Sequence, residues 1–148
     1  MNAIIKSAFI IFCSLLVSCQ CNCEYPYKDN LTEFLSTEAN YKIPQGNVIL
    51  VILPLDACSS CLLSTIEMLK NSHDELDIVV ATSSKRNLKN FGLENLSGNI
   101  YFDLKNNYSR YEIGAGVPLI FHFKNGECLF YSETTDDKKS QIKKHFKW

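Results

Sequence analysis

The sequence has no surplus of either charge: fifteen Lys and Arg face sixteen Asp and Glu, for a net charge of −1. A nucleic-acid binder draws its affinity from clustered positive charge, so this balance argues against one. Glycine, at six, and proline, at four, are sparse, which excludes collagen-like and Pro-rich architectures. There is no internal repeat and no low-complexity tract. No apolar run reaches the roughly twenty residues that a membrane-spanning helix needs. Hydrophobic residues nonetheless make up 46% and charged residues 21%, the balance of a globular protein. A length of 148 residues leaves room for one domain. What the chain does have in quantity is cysteine. Seven is more than a reducing cytosol usually leaves idle.

Lys6 is followed by the run Ala8-Phe9-Ile10-Ile11-Phe12-Cys13-Ser14-Leu15-Leu16-Val17, the length of a signal-peptide core rather than of a membrane span. The run ends in Leu16-Val17-Ser18-Cys19, which resembles the bacterial lipoprotein box, where the Cys receives lipid. The resemblance implies that residues 1–18 are a lipoprotein signal peptide, that Cys19 is lipidated, and that residues 19–46 are a lipid-anchored tether and lead-in segment. Cleavage before Cys19 removes Cys13 and Lys6. The implied location is the cell envelope, on a bacterial membrane facing the periplasm or the exterior, and two or more acyl chains make such an anchor durable. Cys21 and Cys23 lie in polar surroundings. A bridge between them would close a strained ring, which leaves pairing with another chain and further acylation both open.

Pro44-Gln45-Gly46-Asn47 is a turn signal ahead of a continuous apolar run over residues 48–53, which predicts a strand covered on both faces. A short helix is expected over residues 30–35. Residues 58–71 place Cys58, Cys61, Leu62, Thr65, Met68 and Leu69 along one helical stripe, and residues 77–82 read as a second strand, completing a βαβ unit. Residues 83–103 look like an insertion holding a small helix and a short strand at residues 100–102. A helix over residues 105–111 stops before Gly114-Ala115-Gly116, which lacks the third glycine of a dinucleotide fingerprint. Strands over residues 118–124 and 127–132 are joined by Asn125-Gly126, the strongest two-residue hairpin signal. Thr134 with Asp137 has the spacing of a capping box for a last helix through Phe146, with Ile142 and Phe146 facing the sheet.

With Cys58-Ser59-Ser60-Cys61 at the mouth of the first core helix and Val117-Pro118 opening the hairpin, this order resembles the thioredoxin superfamily. It is most similar to the membrane-tethered, TlpA-type thiol–disulfide oxidoreductases of bacterial envelopes. The resemblance implies an α/β, thioredoxin-like fold over residues 47–148, with a central mixed sheet and helices on both faces. It implies an enzyme that exchanges disulfides with protein substrates and is recharged by a redox partner, with no nucleic acid, metal or cofactor. Cys58 would attack and Cys61 resolve. Pro118 would be a cis proline beside the pair, and Val117 would offer backbone hydrogen bonds to a substrate peptide.

The chemistry fits the spacing. Exchange needs a thiolate that attacks and a second thiol that releases the mixed disulfide. At a helix start the amide dipoles favour an anion at Cys58, while Cys61 lies one turn inside. Lowering a thiol from about 8.5 to about 7 requires roughly 2 kcal/mol of preference for thiolate. Asp56-Ala57 stands where the family commonly has Trp, and the Asp56 carboxylate is expected to raise Cys58. No acid interrupts residues 48–53, where many relatives bury one. The alternative is a non-catalytic thioredoxin-fold lipoprotein that binds a partner, with a structural Cys58–Cys61 disulfide. Such a bridge closes a tiny loop and adds little entropic stability. Cys128 is expected as a packed core side chain. A metal site joining Cys58 and Cys61 to Cys128 or His122 is not specified by any spacing. Lys138, Lys139, Lys143, Lys144 and Lys147 read as a solvated helix face.

Overall fold

The computed structural model describes residues 23, 25–56, 58–84, 86–114 and 116–148. The expected signal peptide, residues 1–18, and Cys19 and Cys21 therefore lie outside the described residues. Strand β1 (Asn47–Pro54) is the centre of the fold, because Leu50, Val51, Ile52 and Leu53 are fully buried and need cover on both faces. It runs parallel to β2 (Leu76–Ala81), with Ile49 opposite Leu76 and Pro54 opposite Ala81. On its other side it runs antiparallel to β4 (Leu119–Lys124), with Asn47 opposite Lys124. β3 (Gly98–Asp103) extends the parallel half and β5 (Glu127–Glu133) the antiparallel half, giving the order β3-β2-β1-β4-β5.

Alternation along β1 assigns each side chain to a layer. Val51 and Leu53 meet Leu62, Ile66 and Leu69 of α2 (Ser59–Lys70) and Ile142 of α4 (Lys139–Phe146). Leu50 and Ile52 meet Leu31, Phe34 and Leu35 of α1 (Lys28–Thr37). Burying each such side chain stabilises by about 1.5–3 kcal/mol. The result is an α/β fold, a mixed sheet with helices on both faces, in the thioredoxin-like arrangement. Asn125 and Gly126 both take positive φ, 54° and 81°, as a tight hairpin turn that follows the strand twist requires. A small helix, α3 (Arg86–Phe91), and β3 fill the stretch that reads as an insertion.

Three local expectations are corrected. The helix expected over residues 105–111 is a 3-10 turn, Asn107–Tyr111. The buried Asp103 carboxylate takes the N–H groups of Lys105 and Tyr108, and Asn106 adopts φ 52°, a left-handed conformation that interrupts a helix. Thr134 does not cap α4, which starts at Lys139 without a side-chain cap. Instead Thr134 is buried in the core, where a hydroxyl must find a partner. Cys128, expected as a packed thiol, forms a disulfide with Cys23, with Cα atoms 5.3 Å apart and a sequence separation of 105.

The bridge follows from the packing of the lead-in segment. From Tyr25 onward this segment is built into the core. Tyr25 donates to the Ile113 carbonyl at 2.6 Å and packs its ring edge-on against Phe121 and at a tilt against Tyr131, while Tyr41 donates to Asp77 at 2.7 Å. These contacts carry the chain back over the sheet face and set Cys23 beside β5. Among the described residues, no helix is long and apolar enough to cross a membrane.

Candidate active site

β1 ends at Pro54, and after Leu55 and Asp56 the chain turns into α2, with Cys58 at its N-cap position. Cys58 is exposed and Cys61 half-buried, and both are free thiols. The Cys61 thiol points at Cys58 Sγ across 2.7 Å, and Ser60 Oγ lies 3.3 Å from the same sulfur. Hydrogen bonds from Cys61, then from Ser60, hold the Cys58 thiol down to about 7. The same contact works the other way on Cys61, whose thiol is pushed up because its proton is held by Cys58, with burial adding to the effect. One helix turn thus separates a thiol that ionises more readily from one that holds its proton.

Asp56 does not act as expected. Its Oδ2 accepts a hydrogen bond from Asn106 Nδ2 at 2.6 Å, and the charge on Cys58 is governed by its thiol and hydroxyl neighbours. The carboxylate is tied to the loop after β3 by this bond. The second carboxylate on this rim, Asp136, disfavours ionisation of Cys61 and is paired with Lys139 at 2.7 Å.

Pro118 is buried directly before β4, and Val117 is half-buried ahead of it. The Val117–Pro118 bond is trans, as are the other peptide bonds among the described residues, so the cis expectation is corrected. Trans is the intrinsically favoured isomer, by about 0.5–1 kcal/mol, and the Pro118 carbonyl is fixed here by the Thr134 N–H at 2.9 Å. Pro118 is nevertheless joined to the thiol helix. Thr134 Oγ1 lies 3.1 Å from the Pro118 carbonyl and 2.5 Å from Thr65 Oγ1, which in turn lies 2.7 Å from the Cys61 carbonyl. Two hydroxyl protons serve three contacts, so the chain is a shared relay between the Pro118 loop and the turn carrying Cys61.

Thr134 and Asn106 were not legible as site residues. Thr65 left one signal, a hydroxyl four residues after Cys61 on an otherwise apolar stripe. No protein-family model matches this chain, and no curated protein matches it in sequence. Solved structures do. The crystal structure of the C-terminal domain of an uncharacterized Bacteroides fragilis NCTC 9343 protein is similar at 10% identity and a TM-score of 0.50, covering 72% of this chain and 81% of that one. The solution structure of a candidate thiol-disulfide oxidoreductase from Bacteroides vulgatus is similar at 11% identity and a TM-score of 0.46, covering 73% and 80%. At such identities the likeness is one of fold.

Proposed function

We propose that this protein is a thiol–disulfide oxidoreductase that exchanges disulfides with protein substrates through Cys58 and Cys61. The observation that carries this reading is the unequal pair: two free thiols with sulfurs 2.7 Å apart at the start of α2, the outer one lowered to about 7. In the reducing direction the Cys58 thiolate attacks one sulfur of a client disulfide. A Cys58–client bond forms, the client S–S bond breaks, and the departing client thiolate takes a proton from water. Cys61 then loses its proton and attacks Cys58 Sγ. The second client thiol leaves, and the pair is oxidised as the client is reduced by two electrons. Run backwards, the same steps oxidise a client dithiol. A second dithiol or disulfide protein resets the pair.

Val117 and Pro118 are assigned to the client-binding edge, with the Thr65–Thr134 relay supporting Pro118's place beside the pair. Lipidation at Cys19 and an envelope location belong to the same proposal. The Leu16-Val17-Ser18-Cys19 box supports the first, and the Cys23–Cys128 disulfide supports an oxidising compartment.

Trapping tests the reaction. Cys61→Ser keeps the nucleophile and lacks the resolving thiol, so it should accumulate mixed disulfides on non-reducing gels, identified by mass. Equal trapping by Cys58→Ser, or none by either variant, would overturn the assignment. A reduction potential below about −300 mV without exchange toward glutathione would favour the partner-binding lipoprotein with a structural Cys58–Cys61 bridge. Replacing Cys19 by Ser should release the protein from membranes or leave its precursor uncleaved. A wild-type protein that fractionates as soluble and carries no lipid mass would refute the anchor.

A further inference from the structure

We propose that Asn106 is a positioning residue for the thiol pair: by holding the Asp56 carboxylate on the loop after β3, it keeps a negative charge off the attacking sulfur. The inference rests on Cys58 being the nucleophile. Asp56 stands two residues before Cys58 in sequence, at the end of the connection from β1 that leads into α2. A thiolate beside a carboxylate is disfavoured, since like charges oppose ionisation. The hydrogen bond from Asn106 Nδ2 to Asp56 Oδ2, at 2.6 Å, removes that freedom.

Asn106 is itself held by a built support. The buried Asp103 side chain accepts from Lys105 N–H at 3.1 Å and Tyr108 N–H at 3.0 Å, and its carbonyl accepts from Asn106 N–H at 3.3 Å. This turn places Asn106 in the left-handed region, where an Asn side chain is tolerated far better than most. Among the described residues, two carboxylates bear on the pair. Asp56 approaches from the β1–α2 connection and is held by Asn106; Asp136 approaches Cys61 from the stretch before α4 and is held by Lys139. Cys58 and Cys61 face each other.

The test reads the ionisation of Cys58 in the full chain, kept reduced and held in detergent. Alkylation by iodoacetamide is followed by mass at Cys58 across pH 5 to about 10, so that the range spans both sides of an ordinary thiol midpoint. Asn106→Gly removes the side chain while suiting the positive φ. It should raise the midpoint by about half a pH unit at low salt, the size of one unpaired charge roughly 6 Å away in water-like surroundings. The shift should shrink at 1 M salt. Combining Asn106→Gly with Asp56→Asn should return the midpoint to that of wild type. An unchanged midpoint in Asn106→Gly would overturn the inference. So would an equal shift in the double variant, which would trace the effect to the loop backbone. The readout needs no client, so the absence of exchange in the trapping experiment would refute the oxidoreductase reading while leaving a midpoint shift to decide this one.

Discussion

The two cysteine pairs in this fold share an element and little else. Cys58 and Cys61 are three apart in sequence, at an exposed helix start, and remain thiols. Cys23 and Cys128 are separated by 105 positions and are closed into a disulfide against the aromatic face of the sheet. The entropy of loop closure separates their purposes. A bridge across two intervening residues removes less than about 2 kcal/mol from the unfolded ensemble, whereas one across about a hundred residues removes roughly 4.7 kcal/mol at 25 °C. The near pair is suited to opening and closing, and the far pair to staying closed.

Exchanging the damage between the pairs should break this contrast if it is wrong. Cys58→Ser should reduce exchange to background, a loss of several orders of magnitude, while leaving the urea midpoint of the oxidised far pair in place. Replacing Cys23 and Cys128 together by Ser should do the reverse. It should lower unfolding free energy by up to about 4–5 kcal/mol, with exchange retained wherever the protein remains folded. Urea titration and a client-disulfide assay on both variants check this, and a large stability loss in the first variant would dissolve the distinction.

Smaller effects sharpen the picture. Exchange rates should climb with pH through about 7, the value to which its hydrogen bonds lower Cys58, and level off above it. For the same reason the reduced protein gains stability from the thiolate above the ordinary thiol range, and loses that gain as pH falls through about 7. Thr134→Val deletes the hydroxyl joining Thr65 to the Pro118 carbonyl and should cost about 1 kcal/mol in urea unfolding.

The smallest effect concerns His122 and His145, whose facing nitrogens lie 2.9 Å apart between β4 and α4. Burial lowers both, and for His145 the neighbouring His122 adds to this. The unfolded chain therefore binds more protons below about 6.5. Stability should drop as pH falls from 7.5 to 5, and by less in His145→Gln.

Much of this arrangement could be read from local pattern. The run at residues 48–53 announced the buried central strand, Asn125-Gly126 the hairpin, and Cys58-Ser59-Ser60-Cys61 the thiol site, since each depends on neighbours a few residues away. What escaped depends on partners far along the chain. Thr134 carries the spacing of a helix cap, yet its hydroxyl is taken by Thr65, 69 positions away. Cys23 sits in a polar stretch with no local sign that α1 will lay it against β5. Asp56 looks like a threat to the thiolate until Asn106, 50 positions later, is seen to hold it. Packing chooses these partners, and no short window of sequence contains both members.

The register of the sheet also gives the far pair a mechanical meaning. Cys128 lies opposite Phe123, which lies opposite Val48 near the start of β1. The thiols follow the other end of that strand, about 20 Å away at 3.3 Å per residue. A pull on the chain upstream of Cys23 therefore enters the molecule at its base and passes through the sulfur bridge into β5. The helix mouth with Cys58 follows the opposite end of β1, off that path, like the working tip of a tool gripped by its handle.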